Sequence, residues 1–162
     1  MKIVPFLLLI AVVLTAPVAA LAERTAKGDG TLTVTDGNGA VTFVASRGIV
    51  FGRVDNGTIK IVTADETAFE DFGTCVRPSA VDTTTTCKGA NLRFRFVLGK
   101  GDEIRIYGRG IDITAVGQGK GTIAGRRTLD DGTYSLNGGA PQPLPPVETK
   151  FTLGQVLPVV GG

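Results

Sequence analysis

Residues 28–62 read GDGTLTVTDGNGAVTFVASRGIVFGRVDNGTIKIV, and apolar side chains alternate with polar ones through most of the stretch. Leu32 and Val34 fall on one side of an extended chain, with Thr31, Thr33 and Thr35 on the other. A period of two is the signature of a half-buried strand. Asp36-Gly37-Asn38-Gly39 interrupts the alternation and predicts a hairpin turn, which sets Val34 opposite Val41 and Leu32 opposite Phe43. Ser46-Arg47-Gly48 ends that strand, residues 49–54 form the next, and Asn56-Gly57 predicts a type I′ turn, whose two central residues need positive φ. Ile59 and Ile61 complete the unit.

The punctuation returns 62 positions later. Gly37, Gly39, Arg47, Gly48 and Gly57 correspond to Gly99, Gly101, Arg109, Gly110 and Gly119, which defines repeat units of about residues 28–62 and 90–124. In the second unit Leu92, Phe94, Phe96 and Leu98 make one apolar face before Gly99-Lys100-Gly101 turns the chain. The match loosens afterwards: Glu103 and Arg105 stand where Val41 and Phe43 were, and the apolar positions pass to Ile104 and Ile106. Two units are too few for an open solenoid, which needs about three repeats and caps. The expected fold is all-β, an antiparallel β-sandwich or flattened barrel with an internal two-fold hairpin repeat, because that arrangement buries both apolar faces.

Outside this framework, Lys2 followed by an apolar run to Val18 and then Ala20-Leu21-Ala22 predicts a signal peptide over residues 1–22, cleaved before Glu23, with an uncleaved anchor as the competing reading that Pro5, Pro17 and the small-residue end disfavour. Cleavage leaves 140 of the 162 residues (162 − 22), a single β domain over residues 23–162 with no membrane span. A chain of that size buries roughly two-thirds of its unfolded surface and needs no metal to fold. Thr133-Tyr134-Ser135-Leu136 reads as a further strand, and the proline-rich crossing at residues 138–146 cannot serve as a central one. Cys75 and Cys87 are the only cysteines, and an even count in an exported chain predicts a disulfide between them.

The chemistry is bounded mainly by what is missing. With no histidine, the Ser/His/Asp and Cys/His nucleophile systems and the usual zinc sites are excluded. A net charge of +2 gives no excess of cations for general nucleic-acid binding. Asp65, Glu66, Glu70 and Asp71 form the densest acidic cluster and read as a solvated face. Neither that cluster nor Asp36 with Asn38 matches a calcium loop, so no metal or other cofactor is expected. Gly119-Lys120-Gly121-Thr122 lacks the spacing of a phosphate loop and reads as a turn.

Arg93, Arg95 and Arg105 are the most suggestive positions. A three-residue turn at Gly99–Gly101 would place Arg95 opposite Arg105 and Arg93 opposite Tyr107, away from the apolar face. Directly opposed like charges are unfavourable, and an anionic partner, or Glu103 diagonally, would relieve them. Carbohydrate stacking has only Tyr107 and Tyr134 to draw on. The export segment, paired cysteines and glycine-punctuated strands together resemble small secreted glycine-rich β-proteins of bacteria, a resemblance of pattern that carries over no functional residue. The expected function is a non-catalytic exported β-domain with an envelope-associated binding or structural role. Its partner would be an anionic envelope polymer or another envelope protein. The alternative is a small carboxylate-dependent hydrolase acting outside the cytoplasm.

Overall fold

The structure, a computed structural model, describes residues 28–63, 84–127 and 130–154. These form β1 (Gly30–Val62), β2 (Thr84–Leu98), β3 (Glu103–Gly125), β4 (Thr133–Leu136), β5 (Gln142–Pro143) and β6 (Thr149–Leu153). All pairings are antiparallel. One six-stranded sheet in the order β5-β4-β1-β3-β6, with β2 also on β1, curls into a half-barrel. The all-β expectation therefore holds, in its flattened-barrel form.

At about 3.3 Å per residue a straight strand as long as β1 would outrun any domain of this size. β1 bends instead, and its two halves flank the same strand: residues 30–44 pair with residues 103–117, and residues 47–62 pair with residues 103–118. Walking across the sheet, Lys150, Thr122, Thr42, Arg105, Lys60 and Thr86 are successive neighbours, so two bent strands supply four of the six staves. The register is nearly unchanged when residues 62 apart are exchanged. Gly30 pairs with Gly117 and Val54 with Leu92, and Gly117 and Leu92 are the counterparts of Asp55 and Gly30.

The turns expected inside β1 are not reversals. Val34 lies between Ile113 and Tyr134, and Val41 between Ile106 and Ile123, so Val34 and Val41 do not pair with each other. Asp36 takes a φ of 50° within an irregularity of register between Val34 and Gly37, and the strand continues beyond it. Asn56 pairs with Ala90 and Arg109, again without reversal. Positive φ and glycine serve a bulge as well as a turn, and here they bend the strand.

The bends line up. Gly125, Gly39, Gly108, Gly57 and Gly89 are consecutive neighbours across the sheet. A Cβ on Gly39 would overlap the carbonyl of Ala124, and one on Gly57 that of Tyr107, so the backbones approach there more closely than any side chain allows. Glycine kinks repeated on adjacent strands are what curl a sheet toward closure.

Inside the curl, Leu32, Phe43, Ile59, Leu92, Ile106 and Ile123 are all but fully buried, each contributing about 1.5–3 kcal/mol by leaving water. Gly119-Lys120-Gly121-Thr122 is strand, not turn. Gly121 lies between Phe43 and Phe151, and without a side chain there the two rings stack over it, their centroids 6.3 Å apart and nearly parallel at 11°. At the proline-rich crossing, β5 is an edge strand, with Pro143 opposite Thr133. Leu144 is buried beneath it, its N–H donating to the Gly132 carbonyl at 3.0 Å.

Candidate functional site: the outer face of the sheet

Inward strand positions are mostly apolar, with Thr85 an exception on β2 and the buried carboxylates Asp102 and Asp131 outside the strands, so most of the charged side chains lie on the outer face. Lys100 and Gly101 do form a turn, with the Gly99 N–H donating to the Asp102 carboxylate at 2.7 Å. It does not make a hairpin. β2 pairs with β1 and not with β3, and the chain resumes along the same edge of β1, the N–H of Ala45 donating to the carbonyl of Asp102. The expected neighbours are therefore corrected: Arg95 sits opposite Phe51, Arg93 opposite Arg53, and Arg105 between Thr42 and Lys60.

The register builds a broader cationic surface than the three arginines alone. Crossing β3, the second half of β1 and β2, one row carries Arg105, Lys60 and Thr86, and the next carries Tyr107, Thr58 and Lys88. Arg109 follows beside Asn56, then Asp112, Arg53 and Arg93 in one row, and Thr114, Phe51 and Arg95 in the last. Two of these cations are neutralised. Arg105 holds Glu103 with both nitrogens of its fork, at 2.6 and 2.9 Å. Arg53 grips one oxygen of Asp112 from Nε and Nη2, at 2.9 and 2.8 Å. These hydrogen bonds, with the charges behind them, raise both guanidinium pKa values. Asp112 moves the other way, held below the usual carboxylate range first by the Asp36 backbone N–H at 2.8 Å and then by Arg53, against the opposing effect of partial burial.

Lys60, Lys88, Arg93 and Arg109 have no carboxylate partner among the described residues. They would have been hard to single out in sequence, since they lie up to 49 positions apart and only the register brings them together. In their midst Tyr107 is 46% exposed, flanked across the strands by Ala40 and Thr58.

Other candidates resolve differently. Cys87 is buried on the inner face of β2, while Cys75 lies outside the described residues, as do Asp65, Glu66, Glu70 and Asp71. No group of three or more His, Cys, Asp or Glu side chains fit to hold a metal occurs among the described residues. A hollow beside Ser46, Gln118, Lys120 and Thr152 has no carboxylate in its lining. A more open one over Gly52 has a single carboxylate, Asp112, which Arg53 already occupies. Tyr134 is half-buried and its hydroxyl lies 3.3 Å from Gln142 Oε1.

Fold and surface together define an antiparallel half-barrel with a packed interior and a cationic exterior. Compared with protein-family models, curated proteins and solved structures, the chain finds no match.

Proposed function

We propose that the chain is exported and acts as a non-catalytic β-domain of the cell envelope, binding an anionic partner through the outer face of β1, β2 and β3. The observation that carries this reading is the set of four cations, Lys60, Lys88, Arg93 and Arg109, gathered on one face without carboxylate partners among the described residues. Asp112 and Glu103 offset the charges of Arg53 and Arg105, and an anion would do the same for Arg93 and Lys60 beside them. Export is supported by the apolar leader and its Ala20-Leu21-Ala22 end. The described hollows, neither of which gathers two carboxylates, give the hydrolase alternative no support. A Cys75–Cys87 disulfide belongs to the same reading and would stabilise the fold by roughly 2–3 kcal/mol. Titrating thiols in the denatured, unreduced protein reads it directly: two reactive thiols would remove it.

The test is co-sedimentation of the protein with isolated bacterial envelopes at low and high salt, beside a Lys60→Glu, Arg93→Glu double variant. Binding that weakens with salt and disappears in the variant is expected, since exposed charges are screened over about 8–10 Å at ordinary ionic strength. Equal binding by variant and parent would overturn the proposal.

A further inference from the structure

The rows of the outer face place one aromatic ring at the centre of the cations. Along β3, Tyr107 stands between Arg105 and Arg109, and across the sheet its row continues through Thr58 to Lys88, with Lys60 diagonal to both. Its immediate cross-strand neighbours, Ala40 and Thr58, are small, so no bulky side chain stands over the ring from either flank. A phenol ring left half in water, 46% exposed, is an unusual use of apolar surface in a sheet whose remaining aromatic rings are largely turned inward. Charge alone would not select it, because Lys, Arg or Thr at the same outward position costs nothing in packing. A ring with a polar tip, framed by cations, suits a ligand that is itself made of rings and carries negative charge.

We infer that the anionic partner is an acidic polysaccharide, whose sugar rings lie against Tyr107 while its carboxylates meet Lys60, Lys88 and Arg109. This rests on the cationic-face reading above and adds the ligand's class to it. Sugar rings present C–H faces that pack on an aromatic ring, whose negative π-face attracts the partly positive hydrogens. The carboxylates then receive charge-assisted hydrogen bonds from cations that have no carboxylate of their own among the described residues. A polyanion without rings would use the cations and leave Tyr107 idle. A single-stranded nucleic acid would use both, but the near-neutral chain, at +2, lacks the wider cationic surround that phosphate tracking requires.

The experiment measures binding of the full chain to polygalacturonate, to polyphosphate of comparable length, to dextran and to a thymidine oligonucleotide. Three variants accompany it: Tyr107→Ala, Tyr107→Phe, and Lys60→Ala with Lys88→Ala. Polygalacturonate should bind best and dextran not at all. Tyr107→Ala should weaken polygalacturonate binding about tenfold while Tyr107→Phe retains it, in line with the worth of an aromatic contact. The double lysine variant should remove most of the salt-sensitive part. Polyphosphate bound as tightly as polygalacturonate, with Tyr107→Ala indifferent, would overturn the ring-specific inference and leave the electrostatic one standing. Preference for the oligonucleotide would replace the polysaccharide with a nucleic acid. Envelope binding without any polygalacturonate binding defeats this inference alone, whereas loss of envelope binding as well defeats both.

Discussion

Asp112 shows how a single side chain orders the outer face. One of its oxygens accepts the Asp36 N–H, where β1 departs from regular register, and the other accepts two nitrogens of Arg53 on the neighbouring stave. The carboxylate thereby ties a bulge to the strand beside it. Its pKa lies below the usual range, the Asp36 hydrogen bond acting first and Arg53 after it. The unfolded chain lacks those donors and binds the proton more tightly, so the contribution of Asp112 is complete above the unfolded-state value and fades as pH falls through the folded one. Denaturant unfolding followed from neutral pH into acid should therefore show stability declining as pH falls through and below the ordinary carboxylate range. Asp112→Asn should be less stable at neutral pH and should flatten that decline. An unchanged acid slope in the variant would mean that the network does not contribute. Nothing in the sequence singles out Asp112, because Arg53 lies 59 positions away and becomes a neighbour only through register.

At the scale of the element, the glycines decide whether β1 can be one strand. Alternation correctly marked Leu32, Val34, Val41 and Phe43 as inward residues. It also identified the apolar face of Leu92, Phe94, Phe96 and Leu98, all buried. What alternation specifies is the face of a strand, and it is silent about which strand lies on each edge. Asp36-Gly37-Asn38-Gly39 and Asn56-Gly57 fit a hairpin turn and a bend equally well, since both uses ask for positive φ or for the absence of a Cβ. The choice was made by the core: bending lets both halves of β1 bury their apolar face against β3. Gly57 tests this directly. A Cβ there would overlap the Tyr107 carbonyl and press on Val54 Cγ1 at 2.9 Å, and neither can withdraw without unmaking the row. Gly57→Ala should destabilise the protein by about 2–4 kcal/mol, read from the denaturant midpoint. Gly99→Ala is the control, because its Cβ would come no closer than 3.4 Å to the Asp102 carboxylate, and its effect should stay within about 0.5 kcal/mol. Equal effects at the two positions would show that the glycine row is not what shapes the sheet.

For the molecule as a whole, the consequence of this register is that almost nothing is local. Gly30 finds Gly117, Val50 finds Phe96 and Ala115, and Ile61 finds Ile104, so each half of β1 depends on chain made later, from 22 positions on (Val62 with Thr84) to 104 (Leu32 with Leu136). Had residues 28–62 folded as the pair of hairpins that their punctuation suggests, they would hold their own backbone hydrogen bonds. In the half-barrel they hold none between themselves, because both edges of β1 are occupied by β2, β3 and β4. Isolated hairpins are marginal in water even when they form, and a segment with no internal pairing has less still. A peptide of residues 28–63 should therefore give a disordered circular dichroism spectrum at neutral pH and low concentration. The full chain, whose pairings close long loops before any contact rewards them, should refold slowly, in milliseconds to seconds or longer, as other non-local β topologies do. A strand-like spectrum from the monomeric peptide would mean that the local hairpins are stable after all. The bent long strand would then be a late rearrangement, not the state toward which the sequence folds directly.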